Sequence, residues 1–173
     1  AQHLDQLGRE GAGAGQSLSL GFIPTIAPYL LPGVLAALRA DNLALQIEVR
    51  EAKTSRLVDA LTDGSLDAAV MALPSGSEDL METPLFEDKF LLAGSPARLE
   101  AAGAVRPTDL EPRQLMLLED GHCLTDQALE VCGRGRGQPG INLGASSLAT
   151  LSRMVAAGFG LTLMPELAAR PEA

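Results

Sequence analysis

The chain has 173 residues, 46% apolar and 20% charged, enough to bury a real core as one domain or two small lobes. Its formal net charge of −9, with 13 Lys and Arg spread thinly, argues against a surface that grips nucleic acid through clustered cations. No run reaches the roughly 18 apolar residues of a membrane span, and the N-terminus lacks a charged-then-apolar signal pattern, so a cytoplasmic, reducing setting is expected.

Residues 1–16 read as a linker remnant, with a frayed helix end at 2–9 and a flexible spacer at Gly11-Ala12-Gly13-Ala14-Gly15. From Ser17 the pattern alternates strand and helix. Leu18, Leu20 and Phe22 alternate in a strand that ends at Ile23. A turn over 24–28 leads into a helix over 29–40, with Leu30, Leu31, Val34, Leu35 and Leu38 on one face. Leu43, Leu45, Ile47 and Val49 mark a second strand. Thr54 or Ser55 is expected to cap the next helix, which carries Leu57, Val58 and Leu61 and stops at Asp63-Gly64. The apolar run 66–73 suits a parallel strand covered on both faces. Units of this length imply right-handed crossovers and a parallel sheet.

Composition breaks at Pro74-Ser75-Gly76-Ser77-Glu78-Asp79. Strand-like stretches at 82–86 and 90–93 follow, separated by Glu87-Asp88-Lys89. This predicts an α/β chain of two lobes, 17–88 and 89–166, with 167–173 beginning a return crossing. The second lobe is expected to hold a short buried strand over 114–118, a helix from Leu124, a strand near 141–143, a helix over 147–157 and a strand over 161–164.

Both cysteines lie at one strand-to-helix switch. Asp120-Gly121 is a turn signal, and Leu124, Ala128, Leu129 and Val131 then recur at helical spacing. Cys123 therefore stands at a helix N-terminus, where free N–H groups and the helix dipole are expected to pull its thiol below the ordinary value of about 8.5. His122 adjoins it, and Asp126 lies one turn on. Cys132 follows nine residues later, 132 − 123 = 9. Nine helical steps of about 100° and about 1.5 Å put the two on opposite faces, about 13 Å apart, whereas a disulfide needs Cα atoms within about 7 Å. The thiols cannot be joined while the helix stands. Residues 133–140, with four glycines and a proline, would let the segment bend. The plainer reading is two inert buried thiols.

In such sheets ligands gather where strands end and helices begin. Four junctions qualify: Pro24-Thr25, Thr54-Ser55, Gly121-His122-Cys123 and Ser146-Ser147. Each offers small polar groups and free N–H donors, although Thr54, Ser55, Ser146 and Ser147 also suit plain helix caps. Two cysteines and one nearby histidine make no metal constellation. No phosphate-binding glycine motif or nucleophile elbow occurs.

The stretch Gly21-Phe22-Ile23-Pro24-Thr25-Ile26-Ala27-Pro28-Tyr29-Leu30-Leu31-Pro32 resembles the start of the regulatory domain of the peroxide-sensing OxyR family of LysR-type transcriptional regulators. Glu51-Ala52-Lys53-Thr54 and Gly64-Ser65-Leu66-Asp67-Ala68-Ala69 look like that family's next blocks. Leu118-Glu119-Asp120-Gly121-His122-Cys123-Leu124 is similar to its sensing segment, with Cys132 at the matching spacing. Ser147-Leu148-Ala149-Thr150-Leu151 and Met154-Val155-Ala156-Ala157-Gly158 resemble the late helix generic to LysR-type domains. The resemblance implies two α/β lobes like a type-2 periplasmic binding protein. It implies that peroxide oxidises Cys123 and that Cys132 resolves it into a disulfide. Thr25, Thr54, His122 and Asp126 would surround the peroxide or its water network, with Thr25, Thr54 and Ser147 as candidate ligand contacts.

The same resemblance implies a homodimer or homotetramer that switches antioxidant genes through a helix-turn-helix domain lacking in this sequence. It implies a thioredoxin- or glutaredoxin-like reductant, and neither cofactor, metal nor membrane. Because the family continues past the point corresponding to Ala173 and back through the first lobe, that lobe is expected to be short of a strand. The Gly/Arg loop at 133–140 is not a family pattern. Two other functions stay open on the residues alone: a LysR-type domain binding a small organic effector between its lobes, and a thiol peroxidase enzyme.

Overall fold

The computed structural model describes residues 17–41, 45–135 and 141–172. The chain is α/β. Its first sheet is parallel, in the order β2-β1-β3, formed by β1 (Ser17–Phe22), β2 (Gln46–Glu51) and β3 (Ala68–Val70). Phe22 stands opposite Glu51 on one side and Val70 on the other. Helices α1 (Ala27–Asp41) and α2 (Thr54–Thr62) make the crossovers, as the strand–helix alternation predicts. Leu20, Phe22 and Ala27 are buried under Leu31, Val34 and Leu38 of α1. Ile23, Leu57, Ala60 and Leu66 form a second apolar cluster on the α2 side.

Several local expectations are corrected. Helix α1 begins at Ala27 rather than at residue 29, because Pro28 fits a first helical turn, where its missing N–H is not needed. Lys53, not Thr54 or Ser55, is the N-cap of α2, and it makes no side-chain cap; Thr54 is already helical. The run 66–73 yields only the three-residue β3, half-buried rather than covered on both faces. Residues 82–86 form no strand, since no described strand lies beside them to take their backbone groups. The Glu82 carboxylate instead accepts the Ser75 N–H at 2.7 Å, folding the segment back on itself. Met81 is left 91% exposed and Phe86 50%. The expected residues 1–16 linker and Leu43 lie outside the described residues.

The remaining strands belong to two small sheets. Strand β4 (Phe90–Gly94) pairs antiparallel with β7 (Leu161–Pro165), and β5 (Met116–Leu118) pairs parallel with β6 (Ile141–Ala145). A parallel bridge between Leu115 and Leu161 joins the two. Around them stand α3 (Pro96–Ala102), α4 (Cys123–Val131), α5 (Leu148–Ala156) and the short α6 (Glu166–Ala169). Met116, Leu118, Leu124, Leu148, Leu151 and Val155 fill one cluster between β5 and α5. Tyr29 reaches over from α1 to pack against it, and its hydroxyl donates to Glu172 at 2.8 Å. Burial and the Glu172 carboxylate push that phenol well above its ordinary range.

Close approach fixes one glycine. A Cβ on Gly160 would lie 2.7 Å from both the Gln114 carbonyl oxygen and Met116 Cγ, and a backbone oxygen cannot move aside cheaply. Gly33, by contrast, sits inside α1 with nothing within 4 Å of its Cβ position. Gly160→Ala is expected to lower unfolding stability by about 1–3 kcal/mol through overpacking, whereas Gly33→Ala should raise it by about 0.5–1 kcal/mol. Urea midpoints of the two variants check both signs.

Candidate functional site: a half-buried thiol at a helix start

Three local features set the position of Cys123. Gly121 takes a φ of 90°, a left-handed turn that favours glycine and reverses the chain after β5. His122 then acts as the extended N-cap of α4, and Cys123 is its first helical residue. Thr125 fastens this start to β5: its hydroxyl donates to the Leu118 carbonyl at 3.0 Å and its N–H to the His122 carbonyl at 3.0 Å. The Cys123 side chain, half-buried, packs against the cluster of Ile23, Leu57 and Leu66 from the first half of the chain. With Thr25, Ile23, Met71, Leu124 and Gln127 it lines a mostly apolar cleft of about 870 Å³.

The thiol is not acidified. Burial pushes Cys123 up, and this outweighs the opposing help of the Thr54 hydroxyl and the N–H groups of Leu124, Ala72 and Cys123 itself. The expectation that the helix N-terminus would pull it down is therefore overturned. Loss of water around the sulfur costs more than the few donors at the helix end return. Thr54 Oγ1 is buried with no partner of normal hydrogen-bond geometry, yet it lies close enough to the sulfur to favour the thiolate.

His122 is held toward its neutral form. It is 4% exposed, its Nε2 lacks a hydrogen-bond partner, and burial, followed by the Lys53 charge, lowers its pKa. Glu119 Oε1 approaches Nε2 only to 3.8 Å. That same oxygen is taken by Lys53 Nζ at 2.9 Å, and Lys53 also donates to the Asp120 carbonyl at 2.8 Å. The Lys53 hydrogen bond and charge hold Glu119 below the usual carboxylate range.

Cys132 occupies a different environment. It caps the C-terminal end of α4, is 3% exposed, and packs with Leu110, Leu115, Leu117, Ala128 and Leu161. Burial raises its thiol, with the nearby Arg134 guanidinium opposing. Arg134 itself donates to the Leu110 carbonyl. Both thiols are free. With the helix unbroken from 123 to 131, the rise between them is about 13 Å, and each sulfur belongs to a separate apolar cluster.

Of the residues singled out in the sequence, Thr25 and Cys123 line one cleft and Thr54 lies beside the Cys123 sulfur, whereas His122 adjoins Cys123 in the chain, faces Glu119 and is not among the residues lining the cleft. Asp126 is half-buried in the first turn of α4, three residues past Cys123. Ser147 does not join them. It caps α5, accepting from the Thr150 N–H at 3.2 Å, and is not among the residues lining the cleft. Lys53, Glu119 and the Ala72 N–H were not foreseen, because ion pairs and backbone donors between distant segments leave no spacing signal. Among the described residues, no group of three or more His, Cys, Asp and Glu could hold a metal, and no helix is long and apolar enough to cross a membrane.

The LysR substrate binding domain model matches residues 11–173. The chain belongs to that family. This LysR domain is 40% identical over 165 residues to the DNA-binding transcriptional dual regulator OxyR of Escherichia coli K12, covering 95% of the chain and 54% of the relative. It spans about half the length of the curated relatives it matches. A mutant OxyR2 regulatory domain from Vibrio vulnificus is 36% identical with a TM-score of 0.77, covering 92% of this chain and 77% of that one. A cysteine mutant of Corynebacterium glutamicum OxyR, solved with H2O2 bound, is 34% identical with a TM-score of 0.73, covering 95% and 53%. The LysR domain is thus of the OxyR type, in sequence and in fold.

The state of His122 has a thermodynamic consequence. Its folded imidazole binds a proton less readily than in the unfolded chain, where the value is about 6.5. The unfolded state therefore takes up more protons as pH falls, and stability drops below about pH 6.5 until the folded group also titrates. His122→Gln removes this component, so its urea midpoint should fall less than that of the parent between about pH 7.5 and pH 5. Equal slopes for parent and variant would show that His122 is not held neutral.

Proposed function

We propose that this chain is the sensing domain of a peroxide-responsive transcription regulator, with Cys123 as the thiol that peroxide oxidises and Cys132 as the partner that resolves it. The observation that carries this reading is the pairing of a half-buried thiol on a cleft wall, beside the Thr54 hydroxyl and three backbone N–H groups, with a second free thiol at the far end of the same short helix. The H2O2 bound to the Corynebacterium glutamicum relative and the regulator name of the Escherichia coli relative support it.

In the first step the Cys123 thiolate attacks one peroxide oxygen and the O–O bond breaks. The sulfur becomes a sulfenic acid, and the departing hydroxide takes a proton and leaves as water. Thr25, Thr54 and His122 hold the peroxide and supply hydrogen bonds to the leaving oxygen, while Asp126 adds to the water network. Neutral His122, with Nε2 unpartnered, is suited to give or take a hydrogen bond there. In the second step the Cys132 thiolate attacks the sulfenic sulfur, an S–S bond forms and a second water leaves. Two thiols lose two electrons and one peroxide becomes two waters.

Because about 13 Å of helical rise separates the two residues and places them on opposite faces, the second step requires α4 to open. That remodelling is the signal, passed through a homodimer or homotetramer to a DNA-binding domain. The whole protein works in the cytoplasm, where a thioredoxin- or glutaredoxin-like protein resets the disulfide. The domain is a sensor, not an enzyme.

Titrating the full-length protein with hydrogen peroxide under mass spectrometry tests this. One disulfide between Cys123 and Cys132 per chain is expected near stoichiometric peroxide, without sustained consumption. Cys123→Ser should abolish the change, and Cys132→Ser should stop at a sulfenic acid or mixed disulfide. Continuous turnover with a thiol reductant would indicate a peroxidase. Inertness to peroxide with a thermal shift from a metabolite would indicate an effector-binding domain.

A further inference from the structure

The structure ties the cysteine turn to the start of α2 through one side chain. Lys53 reaches from its N-cap position across the gap between residues far apart in sequence. Its ammonium donates to Glu119 at 2.9 Å and to the Asp120 carbonyl at 2.8 Å. Its methylenes lie on Gly121, where a Cβ would come within 3.2 Å of Lys53 Cδ. The next residue along is Thr54, whose hydroxyl neighbours the Cys123 sulfur. Lys53 and Thr54 thus present adjacent side chains to the two ends of one short segment, 119–123. Lys53 also takes the Glu119 carboxylate oxygen that lies 3.8 Å from His122 Nε2.

We propose that Lys53 is a positioning residue that selectively stabilises the dithiol form, its bond to the Glu119–Gly121 turn holding Cys123 against Thr54 and breaking when the disulfide forms. The inference rests on the proposed 123–132 disulfide. It follows from an asymmetry between the two redox states. In the dithiol state the turn and α4 are intact and the ion pair is made. Joining the sulfurs requires α4 to open, and Cys123, at its first position, is attached directly to the turn that Lys53 grips. An interaction present in one state and lost in the other shifts the equilibrium between them by its own free energy. The pair is partly exposed, 35% for Lys53 and 41% for Glu119. Its effect is therefore that of a solvated ion pair, about two- to fivefold in the equilibrium constant, and salt weakens it.

The measurement is the equilibrium of the full-length protein in glutathione buffers, in which the protein disulfide and two glutathione thiols exchange with the dithiol and glutathione disulfide. The fraction oxidised is read by mass spectrometry after acid quench. Lys53→Met and Glu119→Gln should each shift the balance toward the disulfide by about two- to fivefold at low salt, and the double variant should shift it no further than Lys53→Met alone. Lys53→Arg should restore most of the parent value. The shift should shrink at high salt. A side chain that merely stabilises the whole fold would lower the melting temperature and leave this equilibrium in place. Should Lys53→Met prove poorly folded, Glu119→Gln carries the test, since it removes the charge of the ion pair without touching α2. Unchanged equilibria, or a shift toward the dithiol, would overturn the role of Lys53 while leaving the disulfide reading intact. A parent protein that forms no 123–132 disulfide at all would overturn both.

Discussion

Nine residues of helix keep two sulfurs apart, and the rest of the site is arranged around that separation. A helix this short has almost no stability of its own in water, so α4 stands because its neighbours hold it. Leu124 and Ala128 are buried in two different clusters, and Thr125 binds the Leu118 carbonyl. The two ends are held unequally. The N-terminal end is pinned by Thr125, the Gly121 turn and Lys53, whereas at the other end Glu130 and Val131 are exposed and Gly133 turns left-handed at a φ of 65°. On the proposed reading, the C-terminal turns yield first and Cys132 makes the longer journey, with the turn that Lys53 grips giving way as the disulfide closes. The cost is removal of Cys132 and Ala128 from the Leu115–Leu117 cluster. A covalent bond can meet a cost of that kind, and thermal motion alone meets it rarely, which is the condition a switch requires.

The same burial that steadies Cys123 also limits its reactivity. A helix N-terminus favours an anion by about 0.3–1 kcal/mol, less than one pKa unit, which is worth about 1.4 kcal/mol. Desolvation of a buried thiol can act over several units. The balance therefore falls on the side of the thiol, and Thr54 and the Ala72 N–H only moderate it. A sulfur in this position is not a permanently exposed thiolate open to any electrophile. Donors from three segments converge on it, so on the proposed reading selectivity for a small oxidant arises from the shape and donors of the site. A more basic thiolate is also the stronger nucleophile once formed.

Much of this was legible in the sequence because local rules dominate there. The period-two pattern of Leu18, Leu20 and Phe22 and the helical spacing after Leu124 located β1 and α4, and the count between Cys123 and Cys132 alone implied separated thiols. Asp63-Gly64 marked a helix end through backbone freedom, which Gly64 shows with a φ of 75°. The failures share a cause. The apolar run 66–73 and the stretch 82–86 depend on what lies across from them, and no periodicity reports that. The direction of the Cys123 shift failed likewise, because a helix start is visible in sequence whereas the depth of water around it is set by Ile23, Leu57 and Leu66 from another segment. Lys53 was invisible for the same reason, being separated by 66 residues from Glu119.

On the proposed reading, the separation of the sulfurs also explains why one bond would be felt throughout the domain. Cys123 packs with α2 and the first sheet, while Cys132 packs beneath β5 and β7. The helix between them is a strut whose ends are embedded in different halves of the structure. Bringing the two Cα atoms within the about 7 Å that a disulfide needs cannot be accommodated by side-chain rotation, since rotamer changes leave the Cα atoms where they are. At least one cluster must give up its cysteine, and the vacated space is lined by Leu110, Leu115 and Leu161, which have no polar group to admit water comfortably. The surrounding elements must close over it or come apart. A packed interior does not deform by halves, so on the proposed reading the oxidised and reduced domains are two distinct packings, which a partner subunit or an attached DNA-binding unit of the whole protein would distinguish by shape.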